Sequence, residues 1–94
     1  KISPRAFYAN ANLKSVTISE GVEEIGSSAF GDCINLEYVK IPSTINKVRN
    51  TPFKGCNNIK YFINNAKNII SNKKFLGDNY EKEILEITFE EPKK

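Results

Sequence analysis

Apolar residues recur along this chain at a fixed interval of 23 positions. Shifting the sequence by that interval superposes apolar residues on apolar ones over residues 2–66, together with aromatic rings, asparagines and cysteines. Chance does not align so many positions at one offset, so the chain contains an internal repeat. The equivalent sets are Phe7, Phe30 and Phe53; Leu13, Leu36 and Ile59; Val16, Val39 and Phe62; Ile2, Ile25 and Val48; Asn12, Asn35 and Asn58; Cys33 and Cys56; Ile18 and Ile41; Val22 and Ile45.

Each repeat combines a strand pattern with turn signals. Residues 36–41 end in an alternation of apolar and polar positions, which is typical of a strand with one buried face. Residues 42–44 carry turn chemistry. Residues 26–30 are too short for a full helix and predict one helical or 3₁₀ turn, capped by Ser27 or Ser28, with Phe30 pointing into the core.

Such a repeat cannot bury its apolar face alone, so we expect the repeats to stack. Stacking sets equivalent strands side by side at about 4.8 Å as a parallel sheet. Phe75 follows Phe53 one residue early, and a fourth strand is predicted over 84–89. The first repeat lacks its strand, so we expect the domain to be a fragment of a longer protein. The predicted single domain, 1–94, divides into a partial repeat at about 2–12, repeats at 13–35 and 36–58, a degenerate repeat at 59–83 and a C-terminal strand and cap at 84–94.

The amino-acid composition argues against several classes of site and function. The 94 residues include no histidine, which removes the commonest general base and metal ligand. Two cysteines alone cannot supply the usual four-ligand zinc site. No apolar run is long enough to span a bilayer. We therefore expect no enzyme activity, no cofactor, no bound metal and no membrane insertion.

The two clear repeats carry a recognisable motif. Residues 13–33, "LKSVTISEGVEEIGSSAFGDC", and 36–56, "LEYVKIPSTINKVRNTPFKGC", resemble the BspA-like (Treponema pallidum-type) leucine-rich repeat, whose 23-residue form is L-x-x-V-x-I-P…V-x-x-I…A-F…C. The resemblance covers residues 2–66 strongly and 69–89 weakly. It implies a right-handed leucine-rich-repeat solenoid with a parallel β-sheet, short second strands and 3₁₀ or helical turns. It also implies a cell-surface or secreted protein, since similar proteins serve as adhesins that engage host or matrix proteins.

The cysteines raise the question of a reactive site. Cys33 and Cys56 are equivalent, so stacking brings them within disulfide range, but parallel Cβ vectors aim poorly for a bond. Without histidine to activate a thiol, a nucleophile is disfavoured. We expect a buried pair of free thiols.

The outward positions of the strands are the better candidates for binding. With Val39 and Ile41 inward, the expected exposed stripe contains two stacked tyrosines and an isoleucine, the kind of preformed surface that binding hot spots use. The alternative is that the tyrosines only stabilise each other along the sheet. The candidate binding residues are Thr17, Tyr38, Lys40, Tyr61 and Ile63.

Charge is unevenly distributed, with eight cations and no acid between residues 40 and 74. By repeat position these cations spread around the stack, which favours a solvated surface and no nucleic-acid partner. The acidic loop with Asp78, Asn79, Glu81 and Glu83 lacks the EF-hand spacing and predicts no calcium site. The eight cations are Lys40, Lys47, Arg49, Lys54, Lys60, Lys67, Lys73 and Lys74.

The predicted function is non-catalytic protein–protein recognition through the sheet face, in adhesion to host or matrix proteins. One alternative is a structural spacer or stalk in a larger surface protein. Another is an accessory binding module of a secreted enzyme. The sequence leaves the ligand and the oligomeric state open.

Overall fold

A computed structural model of the chain describes residues 1–77 and 89. Its strands are short, as the repeat predicts, and a single helix follows them within the described residues. The elements are β1 (Ser15–Thr17), β2 (Glu24–Ile25), β3 (Tyr38–Ile41), β4 (Lys47–Val48), β5 (Tyr61–Asn64) and α1 (Asn72–Leu76).

The first sheet has three parallel strands in the order β1-β3-β5. Its register pairs Val16 with Val39 and Val39 with Phe62, so neighbours differ by 23 residues at every pair. These three side chains lie on the buried face, and Val39 and Phe62 are fully enclosed. The predicted parallel sheet and its register are therefore confirmed.

A second, two-stranded parallel sheet lies further along each repeat. It pairs Ile25 of β2 with Val48 of β4. Ile2 makes an isolated parallel bridge to Ile25, which carries the same register into the partial repeat. The short second strands are thus present, while the right-handed superhelical path of a solenoid stays a prediction.

The segment around each equivalent phenylalanine differs from the prediction. Residues 27–32 form consecutive tight turns and not a helical or 3₁₀ segment, and Ser28 has a φ of 54°, outside the helical region. The Ser27 hydroxyl instead accepts a hydrogen bond from Asn50 Nδ2 at 3.4 Å. Left-handed backbone recurs at two positions of each repeat, with φ of 57°, 54° and 39° at Arg5, Ser28 and Thr51, and 58°, 54° and 84° at Ala9, Asp32 and Gly55.

These turns bring the phenylalanine rings into a stack. Phe7 and Phe30 lie with ring centroids 5.1 Å apart and nearly parallel planes, and Phe30 and Phe53 lie 4.9 Å apart. Backbone hydrogen bonds run alongside, from Phe7 N to Ala29 O at 2.7 Å and from Phe30 N to Pro52 O at 3.0 Å. The side of the domain that carries these turns, called here the turn side, is therefore joined between repeats by backbone hydrogen bonds, as the sheets are.

The degenerate repeat also packs a phenylalanine against the preceding repeat, although it is one residue shorter. Phe75 packs against both Phe53 and Phe62, at centroid distances of 6.4 and 5.4 Å. Here the turn is replaced by the helix α1, and Gly77, with a φ of 84°, follows its last residue. The predicted strand over 84–89 lies outside the described residues except for Phe89, which is exposed.

Candidate functional site

The outward face of the three-stranded sheet carries the predicted pair of tyrosines. Tyr38 and Tyr61 are register partners on β3 and β5, and their ring centroids lie 6.5 Å apart with planes tilted by 48°. Both side chains are half-buried. Thr17 is exposed on β1, and its register partner Lys40 is half-buried. The structure therefore brings four of the five candidate residues onto one accessible surface, called here the tyrosine face: Thr17, Tyr38, Lys40 and Tyr61.

Ile63 is the exception, and the expectation that it stands exposed is wrong. It occupies an outward position of β5, yet only 6% of its surface is accessible. Its register partner is Lys40, whose side chain is itself half-buried. Ile63 therefore does not extend the tyrosine face.

A charged row borders the tyrosine face at the start of the strands, and sequence reasoning missed it. Lys14, Glu37 and Lys60 are equivalent positions, and Lys60 Nζ lies 3.8 Å from Glu37 Oε1. The interval of 23 could have revealed this alternation of sign. Both side chains of the ion pair are largely exposed, so it contributes little to stability. Its main effect is a polar border beside the aromatic pair, the arrangement found at protein interfaces.

An exposed tyrosine, Tyr8, lies on the turn side. The guanidinium of Arg5 stands 4.5 Å from the ring centroid of Tyr8, and the Tyr8 hydroxyl donates to Asp32 Oδ2 at 3.0 Å. The other carboxylate oxygen of Asp32 occupies the space that a Cβ on residue 55 would need, which only Gly55 leaves open. No repeat signal predicts this cluster, because Gly31 and Lys54 are the equivalents of Tyr8.

The two cysteines are buried free thiols, as predicted. Cys33 Sγ donates to the carbonyl of Phe7 at 3.2 Å, and Cys56 Sγ donates to that of Phe30 at 3.0 Å. Burial raises the pKa of the Cys33 thiol, and it raises the pKa of Cys56 to about 12. At neutral pH both thiols stay protonated, so neither is poised as a nucleophile. Their role is to bond each phenylalanine turn to the next.

One of the predicted inward positions carries a buried asparagine instead of isoleucine. Asn64 is the equivalent of Ile18 and Ile41, and its side-chain amide donates to Ile70 O at 2.8 Å. Its Oδ1 accepts from Ala66 N at 2.9 Å. The buried amide of Asn64 is therefore hydrogen-bonded on both its nitrogen and its oxygen, and it holds the loop between β5 and α1 in place.

The repeat geometry agrees with a comparison against known families. The family model described as the BspA type leucine-rich repeat region (6 copies) matches residues 1–92. The chain belongs to this family. Its leucine-rich repeats are typically non-catalytic, protein-interaction modules. No curated protein and no solved structure matches the chain.

Within this BspA-type domain some basic residues form ion pairs with acids of a neighbouring repeat. Glu24 Oε2 lies 3.6 Å from Arg49 Nε and 3.7 Å from Lys1 Nζ, beside the second sheet. Lys60 pairs with Glu37 on the other side. The described ion pairs therefore lie beside both sheets of the domain.

Across residues 1–77 and 89, no group of three His, Cys, Asp or Glu side chains comes together to hold a metal ion. The same residues include no helix long and apolar enough to cross a membrane. The calcium question at Asp78, Asn79, Glu81 and Glu83 lies outside the described residues.

Proposed function

We propose that this BspA-type domain binds a protein partner through the tyrosine face, as a recognition module of a cell-surface or secreted protein that adheres to host or matrix proteins. The observation that carries the proposal is the side-by-side placement of Tyr38 and Tyr61 on the outward side of β3 and β5. Tyrosine supplies a large, rigid contact area with a polar tip, and it is enriched among residues that dominate binding energy.

The surroundings of the pair support the same proposal. The sheet beneath holds both rings on a backbone that is hydrogen-bonded on each side of β3, so little conformational entropy is lost on binding. Thr17 and Lys40 add hydrogen-bond donors beside the rings, and Lys14, Glu37 and Lys60 supply a charged border. An aromatic centre with a polar rim is the usual anatomy of a specific protein interface.

The test is capture of purified extracellular-matrix proteins on a surface, compared between the unchanged domain and the double variant Tyr38→Ala with Tyr61→Ala. We expect the double variant to lose capture by at least about tenfold, since two hot-spot aromatics are removed. Tyr8→Ala is the control, because it removes an exposed tyrosine from the turn side and leaves the tyrosine face unchanged. Far-UV circular dichroism establishes that all three proteins fold.

Two other outcomes separate the alternative functions. Capture that is unchanged in the folded double variant would refute the tyrosine face as the binding site. Capture of no matrix protein by the unchanged domain would favour a spacer or stalk. If the domain instead retains a secreted enzyme's substrate, such as a polysaccharide, it would act as the accessory module of that enzyme.

A further inference from the structure

The two buried thiols are equivalent residues of neighbouring repeats. Cys33 and Cys56 are free, and their exposed fractions are 0% and 5%. The backbones beside them are joined by a hydrogen bond from Asp32 N to Lys54 O at 2.9 Å. Neighbouring backbones bonded in this way lie about 5 Å apart. That spacing falls inside the Cα separation of about 4.4–6.8 Å that a disulfide spans.

The Cys56 thiol is directed toward Cys33. Its Sγ donates to Phe30 O, in the repeat of Cys33, at 3.0 Å. Burial is the main cause of the raised pKa of Cys56, and hydrogen bonds with the backbone amide and the thiol of Cys33 modify it. A sulfur within reach of the Cys33 amide also lies close to the Cα and Cβ atoms of Cys33, where the second sulfur of a disulfide belongs. The parallel arrangement of the two residues is therefore no obstacle on the side of Cys56.

Cys33 carries the adjustment that a bond requires. Its Sγ donates to Phe7 O at 3.2 Å, in the preceding repeat and away from Cys56. Rotation about χ1 of Cys33 into another staggered rotamer would turn this sulfur toward Cys56. The rotation gives up one weak S–H···O hydrogen bond and leaves the backbone hydrogen bonds between the repeats in place.

We propose that Cys33 and Cys56 form a disulfide that joins the repeats 13–35 and 36–58 when the domain meets a small-molecule disulfide. One protein thiol loses its proton, and its thiolate attacks the S–S bond of the oxidant, which forms a mixed disulfide and releases one small thiol. The other protein thiol then loses its proton and attacks the protein sulfur of the mixed disulfide, which releases the second small thiol. The protein gives up two electrons, the oxidant takes them up, and the two protons end on the released thiols.

Burial makes this oxidation slow in the folded domain, and the bond makes the product more stable. Only the thiolate attacks a disulfide, and burial raises the pKa of Cys56 to about 12, so few molecules react at any moment at neutral pH. Once formed, the bond restricts the unfolded chain between the two cysteines, which stabilises the folded state. Oxidising surroundings outside the cell supply such conditions, but the bond itself depends neither on that location nor on the tyrosine face.

The test equilibrates the reduced domain with oxidised glutathione at about pH 8.5, the pKa of an ordinary thiol. Acid quenching, alkylation under denaturing conditions and mass spectrometry then identify the product. We expect a monomer that has lost two hydrogen atoms, carries no glutathione and takes up no alkylating agent. Its thermal midpoint should lie about 10 °C above that of the reduced domain. Cys33→Ala is the matched control, because it leaves Cys56 without its partner, and its midpoint should not rise.

Three results would overturn the proposal. Glutathione on both cysteines, or a disulfide between two chains, would show that the thiols do not reach each other in the folded domain. Two alkylated cysteines, after a time that fully oxidises the urea-unfolded chain, would show that packing prevents the bond. An intramolecular disulfide with a midpoint at or below that of the reduced domain would show that the bond distorts the stack. None of these readouts involves partner capture, so this proposal can fail while the tyrosine face stands.

Discussion

The turn side and the sheet face of this domain both repeat at an interval of 23 residues, but they differ in how far the equivalent residues resemble one another. On the turn side the repeated residue is the same each time, since Phe7, Phe30 and Phe53 stack ring on ring. On the sheet face the register partners differ, with Ser15 beside Tyr38 on one step and Tyr38 beside Tyr61 on the next. Packing dictates the first side. The outward residues of the sheet face are less constrained by packing, so they can differ from repeat to repeat and serve binding.

The largest effect on stability is expected when one ring is removed from the middle of the phenylalanine stack. Phe53 is 1% exposed and contacts the rings of Phe30, Phe62 and Phe75. Phe53→Ala should lower the free energy of unfolding by about 3–4 kcal/mol, because it leaves a cavity among three aromatic neighbours. Urea denaturation followed by circular dichroism measures the loss.

Phe7→Ala is the matched control, because Phe7 is the same residue at the exposed end of the stack. We expect it to cost about 1 kcal/mol, the value of one aromatic contact without a cavity. Similar losses for the two variants would contradict a stack whose interior carries the stability. Should Phe53→Ala not fold, Phe53→Leu gives the same ranking with a smaller cavity.

The buried thiol of Cys56 tests the packing of the turn side through the pH dependence of the free energy of unfolding. Burial raises the pKa of Cys56 from 9.0 to about 12. Below pH 9 both folded and unfolded chains hold the proton, and the contribution to stability is complete. Above pH 9 the Cys56 thiol loses its proton in the unfolded chain but keeps it in the folded one. The free energy of unfolding therefore falls until the pH reaches the pKa of the folded state. The loss between pH 8 and 10 should be about 1 kcal/mol.

The control for this thiol is Cys56→Ala, which keeps every lysine and tyrosine. Urea denaturation under reducing conditions at pH 8, 9 and 10 should show a shallower decline for the variant. Parallel pH profiles in the two proteins would mean that Cys56 ionises as easily when folded, and that it is not buried as described.

How far the sequence predicted the structure depends on which side is considered. The inward positions were predictable, because burial restricts Val16, Val39 and Phe62 to apolar residues at one interval, and the interval alone sets the register. The buried state of Cys33 and Cys56 followed from the same logic. Left-handed backbone at Ser28 was not predictable, because serine gives no signal for it and the helical turn was the simpler reading.

The candidate site was predictable as a set of positions but not in its exposure. Alternation along β3 and β5 placed Tyr38 and Tyr61 on one side, as observed. It also placed Ile63 there, yet accessibility depends on what lies over a position, which strand alternation does not encode. The Tyr8 cluster was beyond prediction because its members occupy different repeat positions.

A smaller effect is expected at the asparagine ladder that joins the sheet to the turns. Asn58 donates a hydrogen bond to Ile34 O from an exposed position. Asn58→Ala should lower the free energy of unfolding by about 1 kcal/mol, the net value of one such bond. Asn12→Ala is the control, since that amide has no partner in the described structure, and its loss should be near zero. An equal cost at both positions, measured by urea denaturation, would contradict the ladder.

The smallest effect on stability is expected on the sheet face itself. Tyr38 and Tyr61 are half-buried, and their tilted rings at 6.5 Å contribute an aromatic contact but enclose no cavity when removed. Tyr38→Ala with Tyr61→Ala should therefore lower the free energy of unfolding by about 1 kcal/mol at most. A loss near that of Phe53→Ala would mean that the tyrosines are part of the packing. The sheet face would then be as constrained as the turn side, and the case for a binding surface there would lose its basis.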